Sequence, residues 1–264
     1  ALGGNIIYIV SGGAALQPRI ARVLGMAGMY NLEGYGLTET SPVIAVNNPI
    51  SREMKIGTVG PVLEGFEVKI AGDGEILCKG PGLMMGYYKE PELTSKVIDE
   101  DGWFHTGDIG VLEDGKYLKI TDRKKEIFKL SGGKYIAPQL IENKLKVSNF
   151  IEQVMVIGEN EKYASALISP NFPILHEWCS HNKILFENNQ ELIKIPAVKE
   201  KMQKEVDEIN KTLGTHEKIS RIRLVSDDWT PASGELSPTL KLRRNVVAAK
   251  YQHLIDDIYS AGKF

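Results

Sequence analysis

The chain has 264 residues, 42% hydrophobic and 25% charged, and its 32 Lys and Arg against 34 Asp and Glu leave a net charge of −2. That composition builds one large or two ordinary soluble domains, and no global basic field exists to draw nucleic acid or an anionic membrane. Two isolated cysteines, Cys78 and Cys179, argue against a disulfide framework or a zinc site and fit a reducing, cytoplasmic compartment.

In chain order, Ala1 to Asn5 carry no signal-like start. They run straight into Ile6–Val10, which predicts a strand buried in a mixed or parallel sheet. A chain that opens in mid-fold in this way is expected to be a fragment of something longer. The loop Ser11-Gly12-Gly13-Ala14 leads to a helix from Gln17-Pro18, proline being tolerated in a first turn. Residues 30–46 predict a strand, a glycine-rich turn and the start of a helix. From about 55 to 121 short strands alternate with turns at Gly60-Pro61, Gly72-Asp73-Gly74, Gly80-Pro81-Gly82 and Asp114-Gly115, a small β-rich subdomain. The domain boundary is placed at Asp122–Glu126, ahead of a flexible Ser131-Gly132-Gly133 loop. Beyond it lie a helix near 137–145, paired strands at 151–158 and 163–169, and a helix whose buried stripe is Val198, Met202, Val206, Ile209 and Leu213. A strand at 222–225 and a last helix from about Arg244 follow. His176 and His181 are expected on a solvated helical face, and no histidine has ligand spacing. No apolar stretch nears the roughly 20 residues of a membrane span, which leaves only peripheral contact at an inner membrane face.

Three segments carry chemistry. The stretch from Trp103 to Tyr135 puts a carboxylate, Asp108, before a hairpin and a cationic cluster at Asp122-Arg123-Lys124-Lys125-Glu126, which reads as a nucleotide site at a domain junction. Tyr35-Gly36-Leu37-Thr38-Glu39-Thr40 supplies an aromatic face, hydroxyl donors and an oxygen ligand for Mg²⁺, although in isolation such a hexad is an ordinary helix cap. It is no dinucleotide fingerprint, because Glu39 stands where the third glycine belongs. Gly133-Lys134 is no phosphate loop either, since Phe128 occupies the earlier glycine position. The third segment, Gly234 to Arg244, presents Lys241 on a proline-containing loop, a cation able to neutralise developing oxygen charge.

In this order the segments resemble the adenylate-forming superfamily of acyl-CoA synthetases, peptide-synthetase adenylation domains and luciferases. Ser11-Gly12-Gly13 resembles its adenine-side loop, Tyr35–Thr40 its signature hexad, Thr106-Gly107-Asp108 its ribose-binding turn, Asp122–Glu126 its hinge and Thr239-Leu240-Lys241 its lysine loop. Trp103-Phe104-His105 and Pro238-Thr239-Leu240-Lys241 lean toward the long-chain fatty-acid–CoA ligases. The upstream Thr-Ser-Gly-Thr-Thr-Gly phosphate loop is absent, so the resemblance implies a C-terminal half. Its fold would be α/β and α+β: residues 1–121 as the end of the large AMP-binding domain, a hinge at 122–126, and 127–264 as a small mobile lid.

The resemblance also implies roles. Tyr35 stacks on adenine beside Gly12, Gly13 and Gly36, Thr38 meets the α-phosphate, Glu39 holds Mg²⁺, Asp108 takes the ribose hydroxyls and Arg123 contacts ribose or phosphate. Lys241 serves the adenylation step, Lys125 is the pivot, and Lys129, Gly132 and Gly133 meet CoA. Lys124 is expected to be a solvated neighbour. The implied activity joins a fatty acid to ATP and then to CoA, with the fragment inactive alone. The alternatives are an enzyme that loads a carrier protein and a non-catalytic nucleotide-binding module.

Overall fold

The apolar start of the chain becomes β1 (Tyr8–Ser11), which α1 (Pro18–Met26) connects to the parallel β2 (Tyr30–Gly36); β3 (Val43–Val46) then pairs antiparallel on β2. The computed structural model describes residues 4–51 and 53–260, and Ala1 to Gly3 of the opening stretch and Phe264 lie outside them. The chain is mixed α/β and divides into two units, Ala1–Lys125 and Glu126–Phe264.

Two expectations in the first unit are corrected. The first strand is not buried: Ile7 is 57% and Val10 76% exposed. It is an edge strand, paired with β2 alone. Nor does a helix begin after the glycine turn. Thr38–Thr40 form one 3-10 turn, and Ser41, at φ 57°, reverses the chain into β3. Thr40 satisfies that turn from within, its Oγ1 accepting the Leu37 N–H at 3.0 Å and donating to the Pro42 carbonyl at 2.6 Å.

The β-rich region is an antiparallel meander of β4 (Glu67–Ile70), β5 (Glu75–Lys79), β6 (Phe104–Glu113) and β7 (Tyr117–Arg123), with α2 (Pro91–Ser95) between β5 and β6. Asp114 and Gly115, at φ 53° and 66°, take the left-handed turn that an Asp-Gly hairpin favours. Ile44, Cys78 and Phe104 form one small core, and Ala45, Ile76 and Leu118 another, with Tyr35 packed against both.

In the second unit β8 (Phe128–Lys129) and β9 (Tyr135–Ile136) make a hairpin whose tip holds Gly132 and Gly133, and α3 (Pro138–Leu145) follows. The antiparallel pair β10 (Ile151–Ile157) and β11 (Ser165–Pro170) comes next. Then α4 (Phe172–His181), α5 (Asn189–Leu192) and α6 (Pro196–Asn210) precede β12 (Arg221–Leu224), which lies parallel to β11. Alternation along the strands sends Val154, Val156, Ala166 and Ile168 to a core shared with α3, α4 and α6. Met155 and Leu167 join a second core that contains Trp229, Tyr251 and the terminal helices. Val198, Met202 and Val206 are fully buried, as the 3.6-residue period requires.

The last helix is two, α7 (Arg244–Lys250) and α8 (Gln252–Ser260), broken at Tyr251, whose side chain is buried in that second core. His176 is half-buried rather than solvated. Its Nε2 lies 2.8 Å from Asn189 Oδ1 and its ring 4.9 Å from that of Phe186; His181 is exposed. Both cysteines are free and buried. Among the described residues there is no metal-holding cluster of His, Cys, Asp or Glu, and no helix long and apolar enough to cross a membrane.

Candidate nucleotide site

The four-stranded meander and the β2–β3 hairpin bring Asp108 and Tyr35 together across 73 residues of sequence. Asp108 sits on β6, opposite Arg123 on β7, and its side chain is buried. Its Oδ2 accepts the Tyr35 hydroxyl at 2.8 Å, and its Oδ1 lies 3.4 Å from Arg123 Nε. The Asp108 N–H donates to Thr106 Oγ1, which itself donates to the Ile76 carbonyl at 2.8 Å. Burial, reinforced by the Asp108 charge, holds the Tyr35 phenol far above its ordinary range, so it remains a proton donor to the carboxylate. The guanidinium of Arg123 is half exposed, a cation at the rim beside a sunken anion.

Gly36 is fixed by space. A Cβ there would stand 1.7 Å from the Pro42 carbonyl oxygen, so only glycine lets the strands close at the hexad. With Thr40 turned inward, Thr38 is exposed and Glu39 half-buried, its Oε1 accepting the Tyr87 hydroxyl at 2.9 Å. Gly12 and Gly13 are exposed after β1, Gly13 in the left-handed region at φ 79°.

Sequence reading missed Glu75. It is 4% exposed; its Oε1 accepts the Gly107 N–H at 3.0 Å, and its Oε2 takes His105 Nδ1 at 3.0 Å and Lys124 Nζ at 2.7 Å. Burial pushes its acidity down, but these donors outweigh burial and hold its pKa below the usual glutamate value. Lys124 is exposed, as expected of a solvated neighbour, but it is not unattached: it bridges Glu75 and Asp73, each at 2.7 Å, while its own N–H donates to the Gly107 carbonyl. The partners stand 30 to 49 positions apart, and no local pattern announces such a hub. Tyr87 was missed for the same reason.

In the second unit, Lys241 rides a short hairpin loop. Leu236 bridges to Leu242, Ser237 N–H donates to the Lys241 carbonyl at 2.8 Å, and Lys241 N–H donates to Ser237 Oγ at 3.0 Å. Leu240 takes φ 61°, a costly conformation for a branched residue. The base of the loop is anchored where Lys250 Nζ meets the buried Glu235 at 2.7 Å. The Lys241 ammonium has no ion pair among the described residues. Lys129, Gly132 and Gly133 are exposed; no atom lies within 4 Å of a Cβ built on Gly132, and Lys129 Nζ stands 5.6 Å from the Tyr135 ring centroid.

Residues 1–88 match the model for AMP-binding enzymes, and residues 125–263 match that for the AMP-binding enzyme C-terminal domain. The chain is 37% identical over 261 residues to a protein named long-chain-fatty-acid–CoA ligase FadD15 of Mycobacterium bovis, covering 98% of this chain and 43% of that protein. It is 34% identical over 275 residues to the peroxisomal long chain acyl-CoA synthetase 7 of Arabidopsis thaliana, covering 98% and 39%. The chain thus spans less than half the length of these relatives. The adenylation domain of a carboxylate reductase from Mycobacterium chelonae superposes with a TM-score of 0.77 at 25% identity, over 98% of this chain and 39% of that one. The C-terminal-domain match alone spans more than half of the sequence, and the chain belongs to the AMP-binding, adenylate-forming enzyme family.

Proposed function

We propose that the full-length protein carrying this chain is a fatty-acid–CoA ligase, which forms an acyl-adenylate from ATP and a fatty acid, releases pyrophosphate, and transfers the acyl group to the CoA thiol. One observation carries the nucleotide part: Asp108 is a sunken carboxylate with one oxygen on the Tyr35 hydroxyl and the other beside Arg123. A carboxylate so fixed suits two vicinal ribose hydroxyls, since each oxygen keeps a second lone pair to accept one more donor. The acyl part rests on relatives 34–37% identical over 98% of the chain that are named for long-chain fatty acids and CoA.

In this reading the Tyr35 ring meets adenine beside Gly12, Gly13 and Gly36, and the exposed Thr38 hydroxyl meets the α-phosphate. Glu39 offers one carboxylate, oriented by Tyr87, and no cluster of three or more His, Cys, Asp or Glu surrounds it among the described residues. Such a donor set fits Mg²⁺ brought with phosphates rather than a caged metal. The ion, held at Glu39, would neutralise phosphate charge. Lys241, without an ion pair among the described residues, neutralises charge on the carboxylate and phosphate oxygens as the adenylate forms. A turn about Lys125 then withdraws it and presents Lys129, Gly132 and Gly133 to CoA, so that one nucleotide site serves two half-reactions. The 264 residues hold no phosphate loop, and the chain alone is expected to be inactive.

Loading of a carrier protein is the second reading. It is favoured by a matching carboxylic acid reductase structure described as an A-PCP didomain in complex with AMP, at 25% identity. Hydroxylamine trapping decides the first step: full-length protein with ATP and palmitate should yield the hydroxamate. No hydroxamate from any short, medium or long fatty acid removes the ligase reading. Release of acyl groups onto CoA separates the two acceptors.

A further inference from the structure

The residues on either side of Lys125 are tied down, each to its own unit. On one side, Lys124 is held three ways: its Nζ is 2.7 Å from both Asp73 and the buried Glu75, and its N–H donates to the Gly107 carbonyl at 2.8 Å. On the other, Glu126 Oε2 accepts Arg244 Nε at 2.7 Å and Gln139 Nε2 at 2.9 Å. Arg244 is itself largely buried and locked, its Nη2 2.5 Å from Glu142 Oε1 and its Nη1 3.2 Å from the Val156 carbonyl. Lys125 is exposed like Lys124, but neither its backbone nor its side chain has a hydrogen bond or ion pair among the described residues.

We propose that the Glu75–Lys124 and Glu126–Arg244 ion pairs are clamps that confine the pivot between the two units to the single residue Lys125. This rests on the ligase reading above, which requires the second unit to turn between half-reactions. The partners are chosen for stiffness. Glu75 and Glu142 are buried acids with several donors each, so a cation bound to them is held by fixed, desolvated oxygens rather than by a loose surface pair. Arg244 stands three residues after Lys241 and opens α7, so the same guanidinium that fixes the exit of the pivot also fixes the exit of the lysine loop. Glu75 and Arg244 are therefore positioning residues: one sets the Gly107 turn before Asp108 against the pivot, the other sets the lysine loop against it. A pivot one residue long converts a change of two dihedral angles into one defined rotation, where a slack linker would permit many.

The test uses the full-length protein and measures two steps separately, adenylate formation from palmitate and ATP, and thioester formation from supplied palmitoyl-adenylate and CoA. Proline at 125 fixes φ and restricts residue 124, so Lys125→Pro should depress the second step roughly tenfold more than the first. With the pivot confined, releasing either clamp should let a neighbouring residue turn instead. Lys125→Pro combined with Lys124→Gln, or with Glu126→Gln, should therefore recover the second step by roughly threefold or more. Lys204→Gln, which breaks an exposed pair with Glu200 on α6, should recover nothing. Thermal melting checks each variant, and two independent clamps keep the test alive if one fails to fold. Equal loss with clamps closed or open, rescue by Lys204→Gln as well, or no loss in Lys125→Pro alone each overturns the proposal. A wild-type protein that makes no hydroxamate instead overturns the ligase reading itself.

Discussion

The Tyr35–Asp108 contact does two jobs with one hydroxyl: it keeps a buried carboxylate satisfied and leaves its other oxygen beside the half-exposed Arg123. A hydrogen bond to a charged group contributes about 1.5–3 kcal/mol, and roughly 1.4 kcal/mol is a factor of ten. Tyr35→Phe retains the ring, so the KM for ATP in the full-length protein should rise roughly tenfold with kcat little changed; an unchanged KM would detach Tyr35 from the nucleotide. Gly36 admits no such grading. An alanine methyl 1.7 Å from a backbone oxygen forces the hexad apart, and Gly36→Ala should cost about 3 kcal/mol or more, read as a lowered Tm. A variant that melts like wild type would show that the turn is not closed there.

Glu75 gives a pH-dependent prediction whose sign follows from its donors. Burial opposes ionisation, yet Lys124, His105 and the Gly107 N–H together lower its pKa from the ordinary 4.5. A lowered carboxylate contributes stability that is fully present above its unfolded pKa and lost as pH falls through the folded one. The Tm gap between wild type and Glu75→Gln should therefore be widest near neutrality and close as the pH drops below the ordinary glutamate value. A gap that widens in acid would reverse the assignment.

At the scale of elements, the lysine loop is a tight hairpin with a stiff base, and its Lys241 ammonium has no ion pair among the described residues. In the proposed reading its chemistry belongs to one half-reaction only, because the turn about Lys125 removes it before CoA reacts. Lys241→Ala should abolish adenylate formation while sparing thioester formation from a supplied adenylate; equal loss of both would contradict the two-pose reading. Elements whose information is local were legible beforehand. Asp114-Gly115 declares its turn through backbone preference, and Val198, Met202 and Val206 declare a core face through their period. The hexad misled because Gly36-Leu37 followed by Thr-Glu-Thr reads, taken alone, as a helix cap more often than as a site, and the deciding bond, Thr40 to the Pro42 carbonyl, depends on β3 folding back. Of the site, Asp108 and Tyr35 were legible as motif residues, whereas Glu75, Tyr87 and the clamping role of Lys124 are long-range pairings that no period or turn chemistry encodes.

At the scale of the molecule, two units with separate cores each carry one of the two cysteines. Cys78 lies in the core shared by β5 and β6, where burial pushes its thiol up to about 11, and Cys179 lies in the α4 face of the second unit, likewise raised by burial. A buried, protonated thiol is a poor nucleophile, so labelling of each reports the opening of its own unit. The second unit has the larger contiguous core, which draws on α3, α4, α6 and four strands, whereas the first divides its apolar side chains between two small clusters and leaves β1 at an exposed edge. In increasing urea, with each thiol read by mass spectrometry after brief alkylation, the peptide bearing Cys78 should label at a lower midpoint than that bearing Cys179. Coincident midpoints would mean that the units unfold as one, and Cys179 labelling first would place the weaker core on the other side of Lys125.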